Sequence, residues 1–327
     1  MLTQVTKSLI KSFIPSYLLE RHSKQRWYEH KQQVAPTISE AIHTINERWT
    51  DDVKTQVPEV SPIFLLASEW RSGSTLIQRL INSDSRVLMW GEPYGDCNLI
   101  QRLADSIRPL RTELPTPNQF INHFTPQDGE HGVADLSRAW IANLYPEMRD
   151  FLQAHRTFFE ALFATPAYSR GYSRWGIKEV RLTIEHAEYL HWLFPKAKFI
   201  FLYRNPYKAY RSCRPWRNLY MRWPDVGIDT ATKFGQTWQQ LVNGYIQGHT
   251  KVNGMLVQYE ALCTQKEMVD KLSTYLELDL KPEILDEKVT GVRKKRDPVP
   301  PLELKELELA VDPLARKLCY EPPYNAQ

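Results

Sequence analysis

The sequence predicts an α/β chain: a mostly parallel central sheet in a three-layer fold, with helices on both faces. Two observations carry this. Short unbroken apolar runs, such as Ile63 to Ala67 and Phe199 to Tyr203, alternate with segments of helical period, as strands buried on both faces of a parallel sheet do. The first run leads through "SEWRSGST", Ser68 to Thr75, into "STLIQRLINSD", where Leu76, Ile77, Leu80 and Ile81 recur on one face. Strand, loop and helix in that order place unpaired N–H groups and the positive end of a helix dipole at the loop, a setting for a phosphate group.

The remaining elements follow in order. Residues 1–57 read as an N-terminal helical extension, with apolar positions at Leu9, Ile10, Phe13, Leu18 and Leu19 and a second stripe at Ile38, Ile42 and Ile45. Such stripes pack against a neighbouring domain, or, around Phe13, dock on a membrane surface. Residues 58–327 form the main domain. "RVLMWGEPY" supplies a second strand whose end sets Glu92 in a sharp turn. Residues from Asp96 to Tyr172 are helical with proline breaks, including "LSRAWIANLY" and "MRDFLQAHRTFFEALFA", and suit an acceptor-binding insertion. "WGIKEVRL" and "KAKFIFLYRNP" are strands flanking a helix stopped by Pro195. A long helix from Ala231 to Gln247, a strand "MLVQYE", another helix and a basic loop "VTGVRKKRDP" complete the chain.

Composition bounds the function classes. With 42% hydrophobic and 24% charged residues, the 327-residue chain is core-forming rather than disordered or fibrous. A formal net charge of +4 is too mild to indicate a nucleic-acid or membrane partner by itself. Cys97, Cys213, Cys263 and Cys319 are scattered, with no adjacent histidines to complete a zinc set, so free thiols and no metal site are expected. The sequence contains no apolar run near the ~20 residues of a membrane span. It also lacks a signal-peptide core and an Asn-x-Ser/Thr acceptor, and a cytoplasmic location is expected.

The loop departs from that of nucleoside triphosphatases in an informative way. G-x-x-x-x-G-K-[ST] uses its lysine on the β- and γ-phosphates, whereas here Ser68 replaces the first glycine and Ser74 the lysine. The strand "KFIFLYR" ends in Tyr203 and Arg204 rather than in an aspartate that would help hold Mg²⁺. What remains is a loop for one anionic group and an arginine for another. Ser212, two turns into the helix that follows Pro206, could close on the same anion as Arg204.

"WRSGSTLIQRL" resembles the 5′-phosphosulfate loop of the sulfotransferases that use 3′-phosphoadenosine 5′-phosphosulfate (PAPS). It takes the arginine-bearing form typical of the carbohydrate and tyrosyl-protein branches. "FLYRNPYKAYRS" is similar to their 3′-phosphate motif, "VQYEAL" to a late strand-to-helix motif, and "ARKLCYEPP" to a common closing segment. The resemblance spans about residues 60–322. It implies a P-loop-like fold and a sulfuryl donor, PAPS, leaving as the bisphosphate PAP without a metal. Arg71, Ser72, Gly73, Ser74 and Thr75 would hold the 5′ side of that donor. Arg204 and Ser212 would clamp its 3′-phosphate and Tyr259 would pack against the nucleotide, while "GVRKKR" loosely matches a closing loop through Arg293 or Lys294. Glu92 would serve as base in place of the histidine many members use, with Lys178 and Arg71 stabilising charge on the transferring group. The implied acceptor is a small molecule or a carbohydrate bearing a hydroxyl or amine.

Other roles compete for the same residues. Glu92 could cap a turn or pair with an arginine, and Lys178 could pair with a surface carboxylate. His186 and His191 read as partly exposed helix residues, and Cys213 as an inert core thiol. "YKAYRSCRPWRNLYMRW" interleaves basic and aromatic residues, which also suits a non-catalytic polyanion-binding module with salt-sensitive affinity. A kinase would need a Mg²⁺ aspartate that the sequence does not place. The sulfotransferase reading accounts for the upstream loop as well, expects no nucleic-acid partner, and uses Trp216 to Trp223 to line the acceptor pocket. Oligomeric state is not legible in the sequence.

Overall fold

The computed structural model of the chain describes residues 36–54, 58–110, 115–116, 119–121, 144–216, 227–286 and 298–323. The apolar stripe from Leu9 to Leu19, most of "LSRAWIANLY", the segment from Arg217 to Trp223, and Arg293 and Lys294 lie outside them.

Five parallel strands form one sheet. In chain order they are β1 (Ile63–Ala67), β2 (Val87–Trp90), β3 (Arg174–Val180), β4 (Lys198–Tyr203) and β5 (Met255–Gln258). Their spatial order is β2-β3-β1-β4-β5, with β1 at the centre. All five residues of β1 are buried, as expected for a strand covered on both faces. Ala67 is in register with Val180 on one side and Leu202 on the other. The residues after β1, β3 and β4 therefore emerge together at the carboxyl edge, where ligands of open α/β sheets bind.

Strand alternation divides the core into two layers. Ile63, Leu65 and Ala67 face a layer that includes Ile77 and Leu80 of α2 (Ser74–Ile81), Tyr210 of α6 (Pro206–Cys213) and Trp238 of α7 (Ala231–Gly248). Phe64 and Leu66 face the other layer. That layer holds Ile38, Ala41 and Ile45 of α1 (Ile38–Arg48), Ile100 of α3 (Leu99–Ile107), Leu152 of α4 (Met148–Phe159) and Leu190 of α5 (Ile184–Leu193). The fold is thus the three-layer, P-loop-like α/β arrangement expected from the sequence. Leu76 and Ile42, expected inward, are only half-buried. α1 begins with a capping box between Thr37 and Glu40 and packs into the same core as the sheet.

The insertion meets the sheet through α4, which runs into a π turn at Glu160–Ala164. The Phe163 carbonyl accepts a hydrogen bond from Trp90 Nε1 at 3.0 Å, joining the insertion to the end of β2. π turns leave carbonyls free for such use and recur near functional sites. No helix among the described residues is long and apolar enough to cross a membrane.

Candidate functional site

The loop from Ser68 to Gly73 leaves β1 at the sheet's carboxyl edge, anchored by Ser68 N–H to the Leu202 carbonyl at 3.0 Å. Gly73 is the N-cap of α2 with φ +95° and no side chain to cap the helix. An anion can therefore serve as the cap. Only glycine takes that backbone angle without strain. A Cβ there would stand 2.1 Å from the ring of Tyr259, so Tyr259 lies directly over the loop. The hydroxyls of Ser68 and Ser72 are buried without hydrogen-bond partners among the described residues. Such donors fit a small anionic group in the loop.

The two sequence motifs meet in space. Arg71, itself left-handed at φ 65°, donates from Nε to Ser212 Oγ at 3.1 Å. Arg204 donates from Nη1 to the Arg71 carbonyl at 2.8 Å, and its guanidinium carbon sits 4.4 Å from the centroid of the Tyr259 ring. Asn205 caps α6 by accepting from Lys208 N at 3.0 Å, and Pro206 opens the helix that carries Ser212. Arg71, Gly73, Arg204, Ser212 and Tyr259 thus form one cluster, built from the turns after β1, β4 and β5.

Glu92 and Lys178 form a second pair. The Lys178 ammonium donates directly to Glu92 Oε1. Lys178 is buried on β3, two residues before Val180, and so shares the sheet face of α2. Gln78 of α2 donates to the Met89 carbonyl at 2.9 Å and ties the end of β2 to the helix that follows the loop. The carboxylate that pairs with Lys178 is therefore Glu92 itself, from the neighbouring strand end, rather than one on the open surface.

Two residues of the site went unassigned in the sequence, although both stand inside quoted segments. Glu69 is completely buried in the loop, with neither carboxylate oxygen hydrogen-bonded among the described residues. Burial pushes its carboxyl well above the usual carboxylate range, against the pull of Arg204 and Arg181. Arg181 follows β3 at φ 68°, donates its N–H to the Ala67 carbonyl at 2.8 Å, and stacks 4.7 Å over Trp70. Its position after a strand end was the available signal. Cys213 is buried, and burial raises its thiol out of the reactive range. Among the described residues no group of three or more His, Cys, Asp or Glu is placed to hold a metal ion.

Solved structures similar to this chain include a sulfotransferase domain from the curacin biosynthetic pathway, 17% identical over 81% of this chain and 99% of that one, TM-score 0.44. Sulfotransferase STF9 from Mycobacterium avium is 16% identical over 85% and 80%, TM-score 0.43. Mouse sulfotransferase SULT7A1 complexed with PAP is 12% identical over 72% and 64%, TM-score 0.34. No curated protein matches the sequence. The model of a sulfotransferase family matches residues 62–282, which include the loop, both strand-end arginines, Glu92, Lys178 and Tyr259. The chain belongs to the sulfotransferase family.

Proposed function

We propose that the protein transfers a sulfuryl group from PAPS to a hydroxyl or amine of a small-molecule or carbohydrate acceptor. The observation that carries this reading is the contact of Arg71 with Ser212 and of Arg204 with the Arg71 backbone. These contacts join a loop for a 5′ anionic group to an arginine–serine clamp for a second one. In this reading the loop from Arg71 to Thr75 holds the 5′-phosphosulfate and Arg204 with Ser212 holds the 3′-phosphate. Tyr259 supports the nucleotide.

The Glu92–Lys178 pair supports a division of labour. The acceptor oxygen or nitrogen forms a bond to sulfur as the bridging S–O bond breaks, and PAP departs with the electron pair. Glu92 takes the acceptor's proton. Once protonated, Glu92 no longer neutralises Lys178, whose charge then serves the departing phosphate oxygen together with Arg71. The pair is thus set to release positive charge at the moment negative charge develops.

Calorimetric titration with adenosine 3′,5′-bisphosphate tests the reading. Wild type is expected to bind the bisphosphate without metal and in preference to ATP with Mg²⁺. Arg204→Ala is expected to weaken that binding by roughly 100-fold, the loss of a charge-assisted clamp. Preference for Mg-ATP would instead indicate a kinase. Binding of polyanions without turnover would indicate the interaction module.

A further inference from the structure

Arg204 is held from behind by a carboxylate with no part in the chemistry just described. Glu260 is the second residue of α8 (Tyr259–Thr264), the helix that directly follows β5. Its Oε1 accepts the Asn205 N–H at 3.2 Å and lies 3.9 Å from Arg204 Nε, an ion contact too long for a hydrogen bond. Its Oε2 accepts from the Tyr320 hydroxyl at 3.0 Å, and that hydroxyl accepts from Gln258 Nε2 at 2.8 Å. Trp238 closes the assembly. It donates from Nε1 to the Arg204 carbonyl at 3.0 Å and meets the Tyr320 ring edge-on at 6.4 Å between centroids.

This arrangement fixes the guanidinium on three sides. Nη1 is committed to the loop, Nε faces Glu260 and one face lies on Tyr259. Among the described residues Nη2 has no hydrogen-bond partner. A carboxylate beside a phosphate site repels the ligand unless it also orders the group that binds the ligand. Glu260 is anchored at both oxygens by neutral donors, Asn205 N–H and the Tyr320 hydroxyl. It therefore stays in place behind Arg204 instead of collapsing onto it in a bidentate pair that would occupy the arginine.

We propose that Glu260 and Tyr320 are positioning residues that aim Arg204 at the donor's 3′-phosphate. The preference for a 3′-phosphorylated nucleotide then depends on a tyrosine near the end of the chain. The inference rests on the reading of Arg204 as the 3′-phosphate ligand. Its test compares adenosine 3′,5′-bisphosphate with adenosine 5′-monophosphate, measured by direct titration and by displacement, in wild type, Glu260→Gln and Tyr320→Phe. The phenylalanine keeps the buried ring and removes only the hydroxyl, so it guards against loss of fold. Glu260→Gln is expected to bind the bisphosphate about tenfold more weakly and Tyr320→Phe about threefold, the range for losing a charged or a neutral contact. Both variants are expected to hold the monophosphate within about twofold, an energy difference below ~0.5 kcal/mol. Loss of thermal stability with an unchanged bisphosphate-to-monophosphate ratio would make the pair merely structural and overturn the inference while leaving the donor reading intact. A wild type that shows no preference for the bisphosphate would defeat the donor reading, and this inference with it.

Discussion

A lysine ammonium buried on a central strand needs a counter-charge, because removing an ion from water without one costs several kcal/mol. Glu92 supplies it to Lys178 from the adjacent strand end. The proposed base is thus also a structural partner, and the two roles separate by mutation. Glu92→Gln is expected to lower turnover by at least ~100-fold while leaving bisphosphate affinity within about twofold, as for loss of a general base. It also leaves Lys178 buried beside a neutral amide, so the melting temperature should fall. Adding Lys178→Met should recover part of that temperature and none of the turnover. Recovery of turnover in the double variant would remove Glu92 from the chemistry. Glu92 and Lys178 were each singled out as candidates in the sequence, but their pairing was not legible there. They stand 86 positions apart, and only the β2–β3 register brings them together. Glu69 was illegible for a related reason: a carboxylate in a polar loop looks solvated until the chain is folded around it.

The strand–loop–helix unit was the most legible element, because an unbroken apolar run, a small-residue turn and a helical stripe each have their own period. The sheet order was not legible, since the apolar runs of β1 and β4 are alike on both sides and no strand signals its neighbour. Backbone conformation was not read from the sequence. Arg71 and Arg181 adopt left-handed angles that their residue type does not advertise. That geometry gives Gly73 two distinct jobs. Its φ of +95° costs an alanine about 1–2 kcal/mol. In addition, an added Cβ would sit 2.1 Å from the Tyr259 ring and displace it from the loop. Gly73→Ala should therefore lower the melting temperature and weaken bisphosphate binding by tenfold or more, roughly the effect of ~1.4 kcal/mol. The double variant Gly73→Ala, Tyr259→Ala removes the collision and keeps the backbone strain. Calorimetry on both should show stability lost in each, with the second change adding little further loss of affinity. Independent, additive losses of affinity would mean that the ring and the glycine do not interact.

For the whole molecule, the two core layers each bury a titratable group, and the two groups act on stability with opposite signs. On the α4 side, His155 accepts or donates at Nδ1 to the Tyr189 hydroxyl at 2.6 Å, and burial lowers its pKa from the usual 6.5 to about 4. Between those values the unfolded chain binds a proton that the folded chain does not. Stability contributed by neutral His155 is therefore present above the unfolded value and lost as pH falls through that window. On the loop side, the Glu69 carboxyl is raised by burial, the attraction of Arg204 and Arg181 notwithstanding. Above the unfolded glutamate value of ~4.3 the unfolded chain releases a proton that the folded chain retains. Its contribution is thus full in acid and declines as pH rises toward the folded value. Glu69→Gln should accordingly raise the melting temperature most at mildly alkaline pH, with the gain shrinking toward about pH 4.3. His155→Gln should flatten the acid limb between about pH 4 and the usual histidine value. Thermal denaturation of both variants across pH checks the two signs separately. A Glu69→Gln shift that is constant with pH would mean that Glu69 ionises alike in both states. The loop after β1 would then rest on a charged carboxylate, and Arg204 and Arg181 would be matched to that charge rather than to an anionic ligand.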